Sequence, residues 1–311
     1  MAAFRTTARG VLFVVLLGVL AGSAAAKHDP PYRYRQLPHS PKPAGKQLVF
    51  PVLGRSNLTM SFGDPRGQGA HQGEDIMADR WTPALAAEAG RVRFYTTSGR
   101  AGCMLYLDGQ SGTKYLYVHL NNDLTRNSND NRGNCVPGTA YWKGLRSGMK
   151  VEAGQPIGFV GNSGDAEGGS PHLHFEVHPR GGAAVDPIPY LRSAKRLLFY
   201  VPTGATFTLA LSGKVLSVGT ESVRVTVMTL RTAPFSLTLR KLMRTVTLTV
   251  PVTALVERGA KPGVPGTPVA LESAKAGEVV TLWTEAATAT PEARAGKAGV
   301  LSAERIVLPA G

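Results

Sequence analysis

Residues 170–179 read SPHLHFEVHP, so His172, His174, Glu176 and His178 recur at every second position. Residues of one parity on a strand share a face, and this row lines one face with three imidazoles and a carboxylate. Neighbours in such a row stand roughly 7 Å apart. Two of the imidazoles could hold one zinc ion, or one could hold it while the other faces a reacting group. A second set lies upstream in AHQGEDIMA, residues 70–78, where Gln72, Gly73 and Glu74 separate His71 from Asp75. Gly73 permits a bend that turns both side chains toward one point. His71, Asp75 and one further histidine would hold Zn2+ and leave a fourth position for water. Such an open site supports metal-assisted hydrolysis, because zinc acidifies its water and polarises a scissile carbonyl. The third piece is YLYVHLN, residues 115–121, with His119 on a predicted strand ahead of a polar loop. Each piece alone is a weak sign, since a lone histidine among apolar neighbours is ordinarily a packing residue. Five of the seven histidines fall between His71 and His178, which makes the set more specific than its parts.

These side chains need a scaffold of short strands. From Gln47 to about Leu191, runs such as QLVFPVL, GRVRFYTT, CMLYLDG and KYLYVHL alternate with glycine-rich turns, which predicts a β-rich domain over 46–192. From Ser193, the runs SVRVTVMTL, FSLTLRKL and VTLTVPV alternate apolar and polar residues. Residues 193–311 contain no Asp and no His. They predict a small β-barrel or β-sandwich of its own, with little material for catalysis. Its cationic stretch LRKLMRTV is a candidate contact to an anionic polymer. On a regular strand Arg240 and Arg244 share parity and Lys241 points the other way.

The chain opens with MAAFRTTARGVLFVVLLGVLAGSAAAKHD. Two arginines, a short apolar run and small residues have the layout of a secretory signal peptide over 1–26, with cleavage expected near Ala26. The apolar run is short for a membrane span of ~20 residues, so no stable membrane insertion is expected after cleavage. Residues 27–45 are Pro-rich and basic and read as a linker. A formal net charge of +14 suits anionic partners outside the cytoplasm, such as wall polymers. No basic motif interleaved with aromatics appears, so nucleic acid is not an expected partner. Export permits a disulfide between Cys103 and Cys135, which fit no CxxC zinc pattern; free or metal-associated thiols are the other reading.

The order and wording of these motifs resemble peptidase family M23, the lysostaphin/LytM-type zinc metallopeptidases. The resemblance runs from about Phe62 to Pro187. FGDPR precedes HQGEDI, which is similar to H-x-G-x-D, and EAGRV, YVHL, VEAGQPIGFVGNSG, GGSPHLHFEV and VDP follow in the family's order. The resemblance implies an antiparallel β catalytic domain of duplicated hybrid or barrel-sandwich type. It implies one zinc per chain on His71, Asp75 and His174. His119 and His172 would face the substrate and the water, as base and oxyanion stabiliser. It further implies a secreted or periplasmic endopeptidase that cuts peptide crosslinks of bacterial peptidoglycan. Relatives that keep the fold but lack ligands act as scaffolds or activators of other wall hydrolases, and a protease acting on Gly-rich proteins is a third reading. Glu176 is placed to accept a hydrogen bond from a ligand imidazole; Glu74 and His178 receive no role. Residues 121–147 form a longer polar loop than the family's usual crossing and are expected to overhang the cleft. Tyr141 and Trp142 either form a wall of the groove or pin the loop by packing.

Overall fold

The computed structural model describes residues 47–67, 69–95 and 99–311. The expected signal peptide and the linker lie outside the described residues. Among the described residues no helix is long and apolar enough to cross a membrane.

The candidate residues sit on a seven-stranded antiparallel sheet. Its order is Asn57–Leu58, Glu74–Met77, His172–His178, Lys114–Leu120, Cys103–Gly109, Gly90–Tyr95 and Lys150–Val151. Alternation along His172–His178 sends Leu173, Phe175 and Val177 into one core, with Leu105, Leu107 and Tyr117 from the neighbouring strands. Full burial of such a side chain contributes about 1.5–3 kcal/mol. The Tyr117 hydroxyl keeps its hydrogen bonds inside that core: it donates to Leu85 O (2.9 Å) and accepts from Ala87 N–H (2.8 Å). A two-stranded ladder of Pro83–Leu85 with Pro156–Phe159 contributes Ala84 and Ile157 to the same core. QLVFPVL, expected to begin a strand, makes only isolated bridges through Val49 and Val52.

The second sheet has eight strands. Thr206–Gly219, Ser222–Ala233 and Thr238–Thr249 form a meander, and Val279–Thr284 pairs with the other edge of Thr206–Gly219. Ala303–Leu308 follows, paired with Leu255–Arg258 in parallel. A bridge from Thr249 to Ser302 returns the meander's outer strand toward Ala303–Leu308, so the sheet curls on itself. Phe207, Leu209 and Leu211 fill the interior. That interior also takes in Val49, Leu53 and Leu85, so the C-terminal sheet shares a core with residues of the preceding region.

Two expectations need correcting here. LRKLMRTV does not keep a two-residue period: Lys241 and Met243 have φ of 54° and 50°. This irregular segment buries Leu239 and Leu242 and leaves both Arg240 and Lys241 exposed. Arg244 turns inward and donates to Leu197 O (3.3 Å). The 121–147 loop was expected to overhang the cleft, yet none of its residues lines the cavity beside the histidines, and of the two readings of Tyr141 the packing one holds. That ring is fully buried and stacks on Phe94 at 3.7 Å, and its hydroxyl donates to Met104 O (3.0 Å). A disulfide between Cys103 and Cys135 ties the loop to the start of the Cys103–Gly109 strand.

Candidate active site

His174 pairs with Asp75 across adjacent strands, and Val118 faces His174 from the other side. His71 arrives from the turn before Glu74–Met77. Gly73 matters through space: a Cβ there would sit 2.7 Å from His174 Nε2 and 2.7 Å from Phe175 O. His174 therefore packs directly on a residue that has no side chain to interfere.

The three expected ligands converge. His71 Nε2 lies 2.8 Å from His174 Nδ1, and Asp75 Oδ1 lies 3.1 Å from each of these nitrogens. These edges are close to the ~3.3 Å that a tetrahedral ion with bonds near 2.0 Å imposes on its donors. The outer nitrogen of each histidine is already engaged. His71 Nδ1–H donates to Ser61 O (2.9 Å), and His174 Nε2–H donates to Glu176 Oε1 (2.9 Å). These bonds fix the tautomers and aim two lone pairs and a carboxylate oxygen at one point. Donors so arranged repel one another unless a cation lies between them, so the residues fit a zinc ion. Asp75 Oδ2 accepts from Arg66 of the FGDPR segment (2.9 Å).

The same crowding sets the titration. Burial alone would raise the Asp75 carboxyl, but in the metal-free site protons taken up by the facing nitrogens of His174 and His71 hold it well below the usual carboxylate range. Burial works to lower His174, yet Asp75 and Glu176 together raise it to about 9. Glu176, buried but bonded by His174 and His178, is held at about 2.

His119 and His172 stand apart from the triangle. Their rings are edge to face at 5.1 Å, and His172 Nε2 is 3.7 Å from Asp75 Oδ1. Each donates its Nδ1–H to a backbone carbonyl, His119 to Ser163 (2.8 Å) and His172 to Ser170 (2.9 Å). Both Nε2 atoms are thereby left for a substrate or a water. Burial and the neighbouring His172 push His119 down to about 4, which keeps it a neutral acceptor. Both residues line a cavity of about 610 Å³ together with Arg66, Arg100, Tyr106 and Asp165.

Strand parity does not explain how His119 reaches that cavity. Val118 lines it too, and consecutive residues on a regular strand point to opposite faces. His119 has φ of 58°, and the pairing with Cys103–Gly109 is irregular at that point. A side chain that parity would send toward Tyr117 and the core is turned outward instead.

Four further residues shape the site. Ser163 of the GNSG turn accepts from Cys103 N–H, donates to Leu120 O (2.5 Å) and offers its carbonyl to His119. Asp165 Oδ1 lies 3.7 Å from His119 Nε2. Glu74, assigned no role from sequence, is fully buried and accepts from Met60 N–H (2.7 Å) and Ser61 N–H (3.0 Å). It thus fixes the carbonyl that orients His71. His178, read as a bystander, donates through Nε2 to Glu176 Oε2 (2.6 Å) and through Nδ1 to Gly182 O (2.8 Å), and its bond to Glu176 raises its pKa.

Residues 140–187 match peptidase family M23. The L-Ala--D-Glu endopeptidase of Bacillus subtilis is 29% identical over 161 residues, which cover 48% of this chain and 44% of that protein. The DD-carboxypeptidase/endopeptidase Mpg of Neisseria meningitidis is 29% identical over 118 residues, 38% of this chain and 22% of that one. The chain spans less than half the length of these two relatives. Among solved structures, the catalytic domain of lysostaphin from Staphylococcus simulans is 26% identical, covers 45% of this chain and 93% of that one, and has a TM-score of 0.34.

Proposed function

We propose, on the match of residues 140–187 to peptidase family M23 and on the site geometry, that the chain is a secreted, zinc-dependent endopeptidase cutting peptide crosslinks of bacterial peptidoglycan. One observation carries the zinc reading: His71 Nε2, His174 Nδ1 and Asp75 Oδ1 face one point while Ser61 and Glu176 occupy the outer nitrogens. Zinc held there would supply Lewis acidity to a water and to the carbonyl oxygen of the scissile bond. The remaining work falls to this chain's own groups. His119, neutral and with Nε2 open to the cavity, accepts the proton of the attacking water as the C–O bond forms and returns it to the leaving amine nitrogen as the C–N bond breaks. His172 Nε2–H, once protonated, donates to the oxygen on which charge develops. Asp165 beside His119 favours the transient imidazolium. Ser163 and Ser170 hold the two rings so that neither must reorient during the reaction.

Residues 46–192 form the peptidase domain in this reading, and 193–311 are an accessory β domain packed on it. The relatives named as an L-Ala--D-Glu endopeptidase and a DD-carboxypeptidase/endopeptidase support a substrate with such peptide bonds. The deciding experiment is incubation of the zinc-loaded protein with purified sacculi, followed by assay of free amino groups. New amino termini that vanish with a chelator and return with zinc are the expected result. A zinc-loaded protein that releases none refutes the reading.

A further inference from the structure

Two features flagged in the sequence take no part in the site above: Trp142 in the long loop, and the cationic stretch around Arg240. The fold brings them together. A trough runs between the 121–147 loop and the turn at 234–238. It consists of two adjoining cavities of about 450 and 340 Å³ that share Trp142, Phe235 and Leu237. Phe159 lies 5.1 Å from the Trp81 ring and 5.1 Å from the Trp142 ring. Phe235 covers the trough from the C-terminal sheet with 41% of its surface exposed. Trp81 and Trp142 are partly buried beside it, so Phe235 is the ring of this row that stands exposed.

The charges indicate what kind of partner suits the trough. Arg126 lies on one half of the trough, its guanidinium 6.0 Å from the Trp81 ring, and Lys143 lies on the other half. Neither half is lined by an Asp or Glu. Among the described residues no ion pair joins Arg126, Lys143 or Arg240 to an acid. Arg126 is lowered by burial and by the positive field of Arg240, and no acid lines its half of the trough. Thr125 and Ser236 add hydroxyls at the same end. A row of flat rings suits the C–H faces of pyranose units, hydroxyls suit their ring substituents, and unpaired guanidinium groups suit carboxylates.

We propose that this trough is a second polymer-binding site, which takes a stretch of wall glycan strand whose stem peptides have been removed and whose lactyl carboxylates are therefore free, while peptides still attached elsewhere on the polymer enter the histidine cavity. The inference rests on the peptidoglycan reading of that cavity. It gives the C-terminal sheet a binding role shared with the long loop.

The test titrates the full-length protein with peptide-free glycan strands, released from sacculi by an amidase that frees their lactyl carboxylates. Trp81 and Trp142 make tryptophan fluorescence the direct readout. Saturable quenching is expected. Phe235→Ala and Arg126→Gln should each weaken it on the order of tenfold, with an unchanged circular dichroism spectrum and unchanged cleavage of a short crosslink peptide. Neutral chito-oligosaccharides should be indifferent to Arg126→Gln. Absence of saturable quenching, or equal affinity of the Phe235→Ala protein, overturns the site. So does a concentration-dependent dimer that Phe235→Ala abolishes, because a second copy would then be the occupant. Failure to cut the crosslink peptide while glycan binding persists counts against the proposed function and leaves this site standing.

Discussion

The two large sheets are built by the same alternation and differ in what they bury. The eight-stranded sheet turns Phe207, Leu209 and Leu211 inward and hands its backbone groups to neighbouring strands. Its interior gains from area alone. The seven-stranded sheet does this on one face, with Leu173, Phe175 and Val177. On the other face it holds His71, Asp75, His119, His174 and Glu176 at under a tenth exposure. Burying polar groups is tolerable only when each has a partner, and here Ser61, Ser163 and Glu176 supply them. A site is thus a region where several polar groups accept burial in exchange for a shared direction; the second sheet buries single partnered groups, such as Glu257 with Arg305 and Gly266 N–H, that converge on no common point.

Substitutions should separate the two. The largest effect is expected at the triangle: Asp75→Ala or His174→Ala should take turnover to background and metal content from one zinc per chain to near none, read by elemental analysis beside the sacculus assay. His119→Ala and His172→Ala should keep the metal and lose turnover by roughly 10²–10⁴-fold. Equal metal loss in all four variants would erase the distinction between holding and reacting histidines. In the other sheet, Leu211→Ala should cost about 2–5 kcal/mol of stability and leave the metal stoichiometry of the folded protein intact. Calorimetry and elemental analysis on one sample check both.

The pH response of the chelated protein sharpens the contrast further. His119 falls to about 4 in the fold against an ordinary value of 6.5, so the unfolded chain binds the extra proton between those limits. Stability should therefore drop as pH falls from 6.5 toward 4, by up to about 1.4 kcal/mol per unit. His119→Gln should flatten that part of the curve in chemical denaturation. The smallest effect is expected at Glu74, where Gln keeps the size and loses the charge that fixes Met60 and Ser61. Zinc affinity should weaken about tenfold, measured by chelator competition, with His71 still able to bind.

Much of this was legible in the chain. A period of two is enforced wherever one face of a strand is buried, so HLHFEVH could be read as one reactive row and one apolar row before any coordinates. The grouping of His71, Asp75 and His174 followed from donor chemistry and from the resemblance to family M23. Glu176 as partner of a ligand imidazole was visible as well, since it lies two residues from His174 on the same face. The outward turn of His119 was not visible, because it depends on a backbone irregularity that the letters YVHL do not mark. Tyr141 was ambiguous for a related reason: a ring in a long loop goes wherever a stacking partner exists, and Phe94 comes from a strand far away in sequence.

By itself, then, the sequence determined which side chains were available, which parity each strand would present, and that a divalent cation would satisfy the His and Asp donors. Those are properties of residue type and short-range spacing. Only the tertiary structure decided that Glu74 would brace the carbonyl behind His71, that Arg240 and Lys241 would both be exposed, and that Trp142 would meet Phe235 across a trough. Each of these joins segments that contact one another through folding, and in each the direction of a side chain follows from a neighbour that local sequence does not name.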